Sequence, residues 1–144
     1  MKVKNPPWFF SELTLTIFGM TPRNKSTLGE QGETIAAIRL QQHGYKLITK
    51  NWRFKHKEID IIAQKDGEIV FVEVKTRSNT FFEAPSEAVT IKKQRLLVEA
   101  ANQYMIKNNI DMEARFDVVS VIISGGNEIV EIMENAFYPL VKKR

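Results

Sequence analysis

The chain has 144 residues, of which 43% are hydrophobic, and its 21 Lys and Arg against 17 Asp and Glu give a net charge of +4. This length and balance suit one folded soluble domain, exclude a disordered or fibrous protein, and favour an anionic partner such as nucleic acid. The absence of cysteine excludes disulfides, thiolate metal sites and cysteine nucleophiles, and it fits the reducing cytoplasm.

The N-terminal segment, residues 1–25, is predicted to be an extension, flexible or self-associating, ahead of a single domain at residues 26–144. Its apolar run up to Met20 is interrupted by polar residues such as Glu12. The run is therefore neither a signal core nor long enough for a transmembrane helix, and we expect no membrane association.

A first helix is predicted after a polar linker, with Ser26 or Thr27 as its N-cap and Gly44 placed to end it. Its apolar face recurs with helical period at Leu28, Gly32, Ile35, Ala36 and Leu40. Glu33 lies at the edge of this face, so the sequence predicts one carboxylate beside the surface that packs on the domain.

Three strands are predicted next, at "YKLITKNWRF", "EIDIIAQ" and "EIVFVEVKTR", joined by the turns "KHK" and "KDG". A second amphipathic helix follows at residues 90–109, and "RFDVVSVIIS" and "EIVEIMENAF" supply two further strands. The predicted fold is therefore α/β, with a mixed central β-sheet flanked by helices in the order α-β-β-β-α-β-β.

Charged residues interrupt the most apolar strands of this prediction. Asp60 lies on the second strand, and strand alternation places Glu73 and Lys75 on one face of the third. If the two strands are neighbours, the carboxylates of Asp60 and Glu73 can meet, and their repulsion then requires a raised pKa, a cation, or Lys75 as a partner. The alternative is that these side chains lie on a solvated face and pair with cross-strand neighbours.

The ordered pattern resembles the restriction-endonuclease-like, or PD-(D/E)xK, nuclease superfamily. That superfamily has an acidic residue on a first helix, an Asp on a strand and Glu-x-Lys on the next strand, which here are Glu33, Asp60 and Glu73-Val74-Lys75. The segments "GEQGETIA", "VFVEVKTR" and "AVTIKKQR" resemble more closely the uncharacterised bacterial YraN-like family, related to archaeal Holliday-junction resolvases. The resemblance implies a restriction-endonuclease-like core; Lys57 stands where the family pattern has Gly, and the naming proline is absent.

The resemblance also implies the roles of the site residues. Asp60, Glu73 and the backbone carbonyl of Val74 would hold Mg²⁺ or Mn²⁺, and Glu33 would complete the shell directly or through water. Lys75 would orient the attacking water or stabilise the transition state. The expected catalytic residues are therefore Asp60, Glu73, Lys75 and Glu33.

Basic and amide side chains of the second helix are the expected nucleic-acid contacts. The resemblance places Lys93 and Gln94 in the cleft, with Lys92 and Arg77 as weaker candidates, although a solvated first turn explains the helical residues equally well. DNA, branched by kinship with the resolvases, is preferred to RNA as the partner. Cleavage of two strands needs two sites, so a C2 homodimer is a further expectation.

Three functions stay open at this point. The first is a metal-dependent endonuclease that is structure-selective on DNA. The second is a non-catalytic nucleic-acid-binding module with the same fold, and the third is a partner-binding protein whose acidic cluster is incidental. Fold alone does not choose among them.

Overall fold

A computed structural model describes residues 27–78 and 89–139 of the chain. This part contains two helices, α1 (Leu28–Gln42) and α2 (Ile91–Lys107), and five strands. The strands are β1 (Lys46–Phe54), β2 (Lys57–Lys65), β3 (Glu68–Arg77), β4 (Ala114–Ser124) and β5 (Asn127–Phe137). The predicted class and the order α-β-β-β-α-β-β are confirmed, whereas the prediction for residues 1–25 lies outside the described residues.

Helix α1 begins at a reciprocal cap and is followed by a glycine two residues after its last residue. The Glu30 amide donates to Thr27 Oγ1 at 3.2 Å, while the Thr27 amide donates to the Glu30 carboxylate at 2.8 Å. After the helix, Gly44 adopts a positive φ of 84°, which a residue without Cβ reaches at little cost. Thr27 is thus the N-cap, one of the two residues that the sequence predicted.

The five strands form one mixed sheet in the order β1-β2-β3-β4-β5, in which only β3 and β4 are parallel. Adjacent residues of β3 point to opposite faces: Val70 and Val72 pack in the core with α1, and Ile69 and Phe71 pack in the core with α2. The two helices therefore cover opposite faces. Neither of these two helices has the length and hydropathy needed to cross a membrane.

Strands β2 and β3 diverge partway along the sheet. Their pairing ends at Ile61 and Val72, beyond which β2 continues beside β1 and β3 continues beside β4. Asp60 and Glu73 are the next residue on each strand. We call this divergence the fork; it leaves backbone groups of β3 without a partner strand, and such groups need another partner.

A buried ionic network lies at the other end of the sheet, where β3 and β4 begin. Arg115 donates to both carboxylate oxygens of Asp117 at 2.9 Å and to Glu68 at 3.0 Å, and the Tyr45 hydroxyl donates to Asp117 at 2.8 Å. Arg115 and Asp117 are only 4% and 0% exposed. Because each charge is paired and hydrogen-bonded, the network satisfies the usual condition for burying ions.

Candidate active site at the fork

The carboxylate of Asp60 bridges the fork. One of its oxygens accepts a hydrogen bond from the backbone amide of Val74 at 2.7 Å. This amide lies beyond the last pairing of β2 with β3, so the carboxylate replaces the missing strand partner. The N–H and C=O of one strand residue point to the same side, so the carbonyl of Val74 is expected on the Asp60 side of β3.

Glu73 is the buried acid of the fork. Its side chain is 4% exposed, and the ammonium of Lys93 from α2 pairs with its Oε1. The other oxygen, Oε2, is buried and has no hydrogen-bond partner. A buried carboxylate oxygen without a partner is costly, and such an atom in a folded protein commonly marks a missing water or ion.

Glu73 lies close enough to Asp60 for its charge to act on the pKa of Asp60. Burial, followed by the charge of Glu73, raises the pKa of Asp60 to about 8, although the Val74 amide and Lys93 act in the opposite direction. Burial alone would lower the pKa of Lys93, but its hydrogen bond to Glu73 and the charges of both acids raise it above the ordinary value. The fork thus holds two acids and one ammonium, and without a second cation Asp60 keeps its proton near neutral pH.

Helix α1 brings Glu33 to the fork from the opposite face. The helix approaches β3 closely because Gly32 lies against Thr76. A Cβ added to Gly32 would come within 1.8 Å of the Thr76 Oγ1. The charge of Glu33 contributes to the raised pKa of Asp60. Burial, and further the charge of Glu58, raises the pKa of Glu33 itself.

The side chain of Asn51 links the carboxylates of Glu33 and Glu58. Carboxylates only accept hydrogen bonds, so the Asn51 amide nitrogen faces them, 3.0 Å from Glu33 Oε2 and 3.1 Å from Glu58 Oε1. Asn51 has a φ of 51°, a left-handed conformation that Asn tolerates better than most residues. Neither Asn51 nor Glu58 was assigned a role from the sequence. The shared strand face of Glu58 and Asp60 was the available signal for Glu58, but no local pattern indicated Asn51.

A cleft of about 330 Å³ opens beside Asp60. The turn between β1 and β2 forms one wall, and the first turns of α2 form the other, including Thr90, Lys92 and Lys93. Thr90 caps α2, so the positive end of the helix dipole faces this region. The lining of the cleft therefore combines the carboxylates of Glu58 and Asp60 with basic side chains and a helix N-terminus.

The other site residues predicted from the sequence are Lys75, Lys92, Gln94 and Arg77. Lys75 lies two residues past Glu73 on β3 and is partly exposed, and within the described chain the ammonium that pairs with Glu73 comes from Lys93 instead. Lys92 lines the cleft. The Gln94 side chain donates to the Val89 carbonyl at 3.0 Å and faces a separate hollow with Arg95 and Tyr138. Arg77 is the last residue of β3.

Whether a metal ion fits at the fork depends on the two acids Asp60 and Glu73. As the side chains stand, no three His, Asp or Glu groups of residues 27–78 and 89–139 converge closely enough to hold one. Asp60 and Glu73 nevertheless offer two neighbouring carboxylates, one with an unpartnered oxygen, and the Val74 carbonyl is expected on the same side of β3 as a third oxygen ligand. Such an all-oxygen set suits Mg²⁺ or Mn²⁺ rather than a soft metal.

The chain matches one family of proteins across this site. The profile of the uncharacterised protein family UPF0102 matches residues 32–121. A UPF0102 protein of Bacteroides thetaiotaomicron is 47% identical over 112 residues, which cover 78% of this chain and 93% of that protein. UPF0102 proteins of Porphyromonas gingivalis and Flavobacterium psychrophilum are 47% and 45% identical, covering 81% and 77% of this chain and 87% and 93% of the relatives. The matched segment contains every residue of the fork.

Proposed function

The chain belongs to the uncharacterised protein family UPF0102, which confirms the predicted resemblance. From this premise we propose that it is a metal-dependent nuclease that selects DNA by its structure. The observation that carries the proposal is the pair of acids Asp60 and Glu73, in which Glu73 is buried and one of its oxygens has no hydrogen-bond partner. Two neighbouring acids, one of which lines a cleft that also has Lys92 and Lys93 in its wall, are suited to hold a dication against a phosphate backbone.

The residues of the fork would divide the work. Asp60 and Glu73 would hold Mg²⁺ or Mn²⁺ together with the Val74 carbonyl, and Glu33 would support the site through water. When bound, the ion supplies Lewis acidity at the phosphate and lowers the pKa of a water molecule. Lys75 would orient that water or stabilise the charge that develops on the phosphate.

The basic rim would hold the nucleic-acid backbone. Lys92 and Lys93 stand in the first turn of α2, beside the helix N-terminus, which is a favourable place for phosphate oxygens. Contacts of this kind position the backbone without reading sequence. This is consistent with selection of DNA by its structure, such as a branch, rather than by its bases.

An assay on matched substrates tests the proposal. The purified chain should cleave at least one of single-stranded, duplex and four-way-junction DNA in the presence of Mg²⁺ or Mn²⁺, and cleavage should vanish with EDTA and in Glu73→Gln. The control variant is Glu113→Gln, an exposed carboxylate at the opposite end of β3, which should cleave normally. Silence on all DNA substrates and on RNA of the same sequences would remove the nuclease proposal.

A non-catalytic nucleic-acid-binding module is the second candidate, and the Lys93–Glu73 ion pair is the observation that favours it. An ammonium that already compensates the buried acid allows the fork to persist without a metal. In that case binding would fall with salt, would be unaffected by Glu73→Ala, and would proceed without cleavage at any metal concentration.

A further inference from the structure

The contact between Lys93 and Glu73 has a consequence for how a metal ion reaches the fork. Lys93 pairs with Oε1 of Glu73 while Oε2 remains unpartnered. The charge of Lys93 also acts on Asp60. One ammonium therefore stands at the position that a cation shared by both acids would occupy, and it leaves Oε2 of Glu73 without a partner.

Lys93 can leave this position without disturbing the core. Its side chain is 46% exposed, and it lines the open cleft beside Asp60. The lysine stem is long and flexible, so the ammonium can move into the cleft while its backbone stays in α2. A dication carries twice the charge and accepts several oxygen ligands, so it suits the acid pair better than the ammonium does.

We propose that Lys93 is an internal counter-ion that occupies the cation position of the fork in the metal-free chain and is exchanged for the divalent ion. This inference rests on the proposed metal site. After the exchange, the released ammonium lies beside Lys92 and the N-terminus of α2, where it can bind a phosphate. Metal and nucleic acid would then strengthen each other's binding, because both draw Lys93 away from Glu73.

Mn²⁺ titration without nucleic acid tests the exchange, with free Mn²⁺ followed by electron paramagnetic resonance. Lys93→Met removes the competing ammonium, so this variant should bind Mn²⁺ about tenfold more tightly than the wild type. Lys92→Met is the matched control: it removes the same charge from the same helical turn but not the contact with Glu73, and its affinity should change by no more than about twofold. Lys93→Arg keeps a cation and should bind as weakly as the wild type.

Stability of the metal-free chain gives a second readout. Lys93→Met should unfold at a lower temperature than Lys92→Met, because it leaves the buried Glu73 without its counter-charge. Mn²⁺ should recover this loss. If the variant does not fold alone, its recovery by Mn²⁺ measures the same exchange.

The possible outcomes separate this inference from the nuclease proposal. Equal or weaker Mn²⁺ affinity in Lys93→Met than in Lys92→Met, with binding by the wild type, overturns the exchange and leaves the metal site standing. Binding by Lys93→Met alone supports the exchange and identifies Lys93 as the block. Failure of all four proteins to bind Mn²⁺ overturns both the metal site and the exchange.

Discussion

The carboxylate of Asp60 and the backbone amide of Val74 are joined by a 2.7 Å hydrogen bond across strands that no longer pair. This bond holds an ionisable side chain at the opening of the sheet, where its neighbours are the buried acid Glu73 and the ammonium of Lys93. The same divergence that removes a strand partner thus creates the place where these charges meet.

Substitution of Lys75 should separate chemistry from folding. Lys75→Met is expected to lower the rate of metal-dependent cleavage by about two to three orders of magnitude, because under the proposed function it removes one group that would orient the water or stabilise the transition state. The residue is partly exposed on β3, so the fold and the melting temperature should change little. Single-turnover cleavage and circular dichroism measure the two effects. Cleavage at the wild-type rate would exclude Lys75 from the mechanism.

The stability of the metal-free chain should depend on pH through Asp60. Burial and the charge of Glu73 raise its pKa from 3.8 in the unfolded chain to about 8, so between these values the folded state holds a proton that the unfolded state has lost. Its contribution to the free energy of unfolding is full below about pH 4, declines as pH rises, and is lost above about pH 8. Denaturation in EDTA from pH 4 to 9 should show that the wild type loses stability relative to Asp60→Asn as the pH rises. A difference between the two proteins that does not change with pH would contradict this.

The contact between α1 and β3 should be sensitive to a single methyl group. Gly32→Ala places a Cβ within 1.8 Å of Thr76 Oγ1, so the helix must move or the threonine must rotate. We expect a loss of about 1 to 3 kcal/mol in the free energy of unfolding. Thr76→Ala in the same chain should recover part of it, which urea denaturation of the single and double variants would reveal. Simple additivity of the two changes would show that the contact is not the cause.

Two substitutions of Asn51 should distinguish its backbone from its side chain. Gly adopts a φ of 51° freely whereas Ala does not, so Asn51→Ala should destabilise the fold by about 1 kcal/mol more than Asn51→Gly. Both remove the amide that bridges Glu33 and Glu58, and both should weaken Mn²⁺ binding by about tenfold if Glu33 supports the metal site. Unchanged Mn²⁺ affinity in Asn51→Gly would exclude a positioning role for the amide.

The ionic network at the far end of the sheet should act on stability alone. Arg115→Met leaves the charge of Asp117 buried without its bidentate partner, and we expect a loss of about 3 to 5 kcal/mol. Adding Asp117→Leu should recover part of this loss, because the uncompensated charge disappears. Urea denaturation of the single and double variants measures both effects. A double variant less stable than Arg115→Met would contradict the argument.

Local patterns were sufficient to predict most of the fold. The helical repeat around Ala36 and the strand alternation around Phe71 identified the faces that are now buried, and both residues lie in the core. The turn at Gly67 was indicated by its glycine, which has a positive φ of 78° in the structure. These features depend on residues close in the chain, which is why the sequence reveals them.

Only part of the candidate site could be predicted from such local sequence patterns. The sequence predicts that Asp60 and Glu73 meet because a two-residue turn makes their strands neighbours, and the charge of Glu73 does act on Asp60. The assignment of Lys75 as the partner of Glu73 was one open alternative; the cation in contact is Lys93, which comes from a helix 20 residues further along. Periodicity along a strand cannot show which residue of a distant helix reaches that strand.

The sequence by itself determined the elements, their order and the residue types available for chemistry, because propensity, period and turn residues act over a few neighbouring positions. Only the tertiary structure decided where β2 and β3 separate, that Asp60 replaces a strand partner for Val74, and that Lys93 compensates Glu73. These contacts join segments that approach each other only when both faces of the sheet are covered, and their energies depend on the burial that the packing creates.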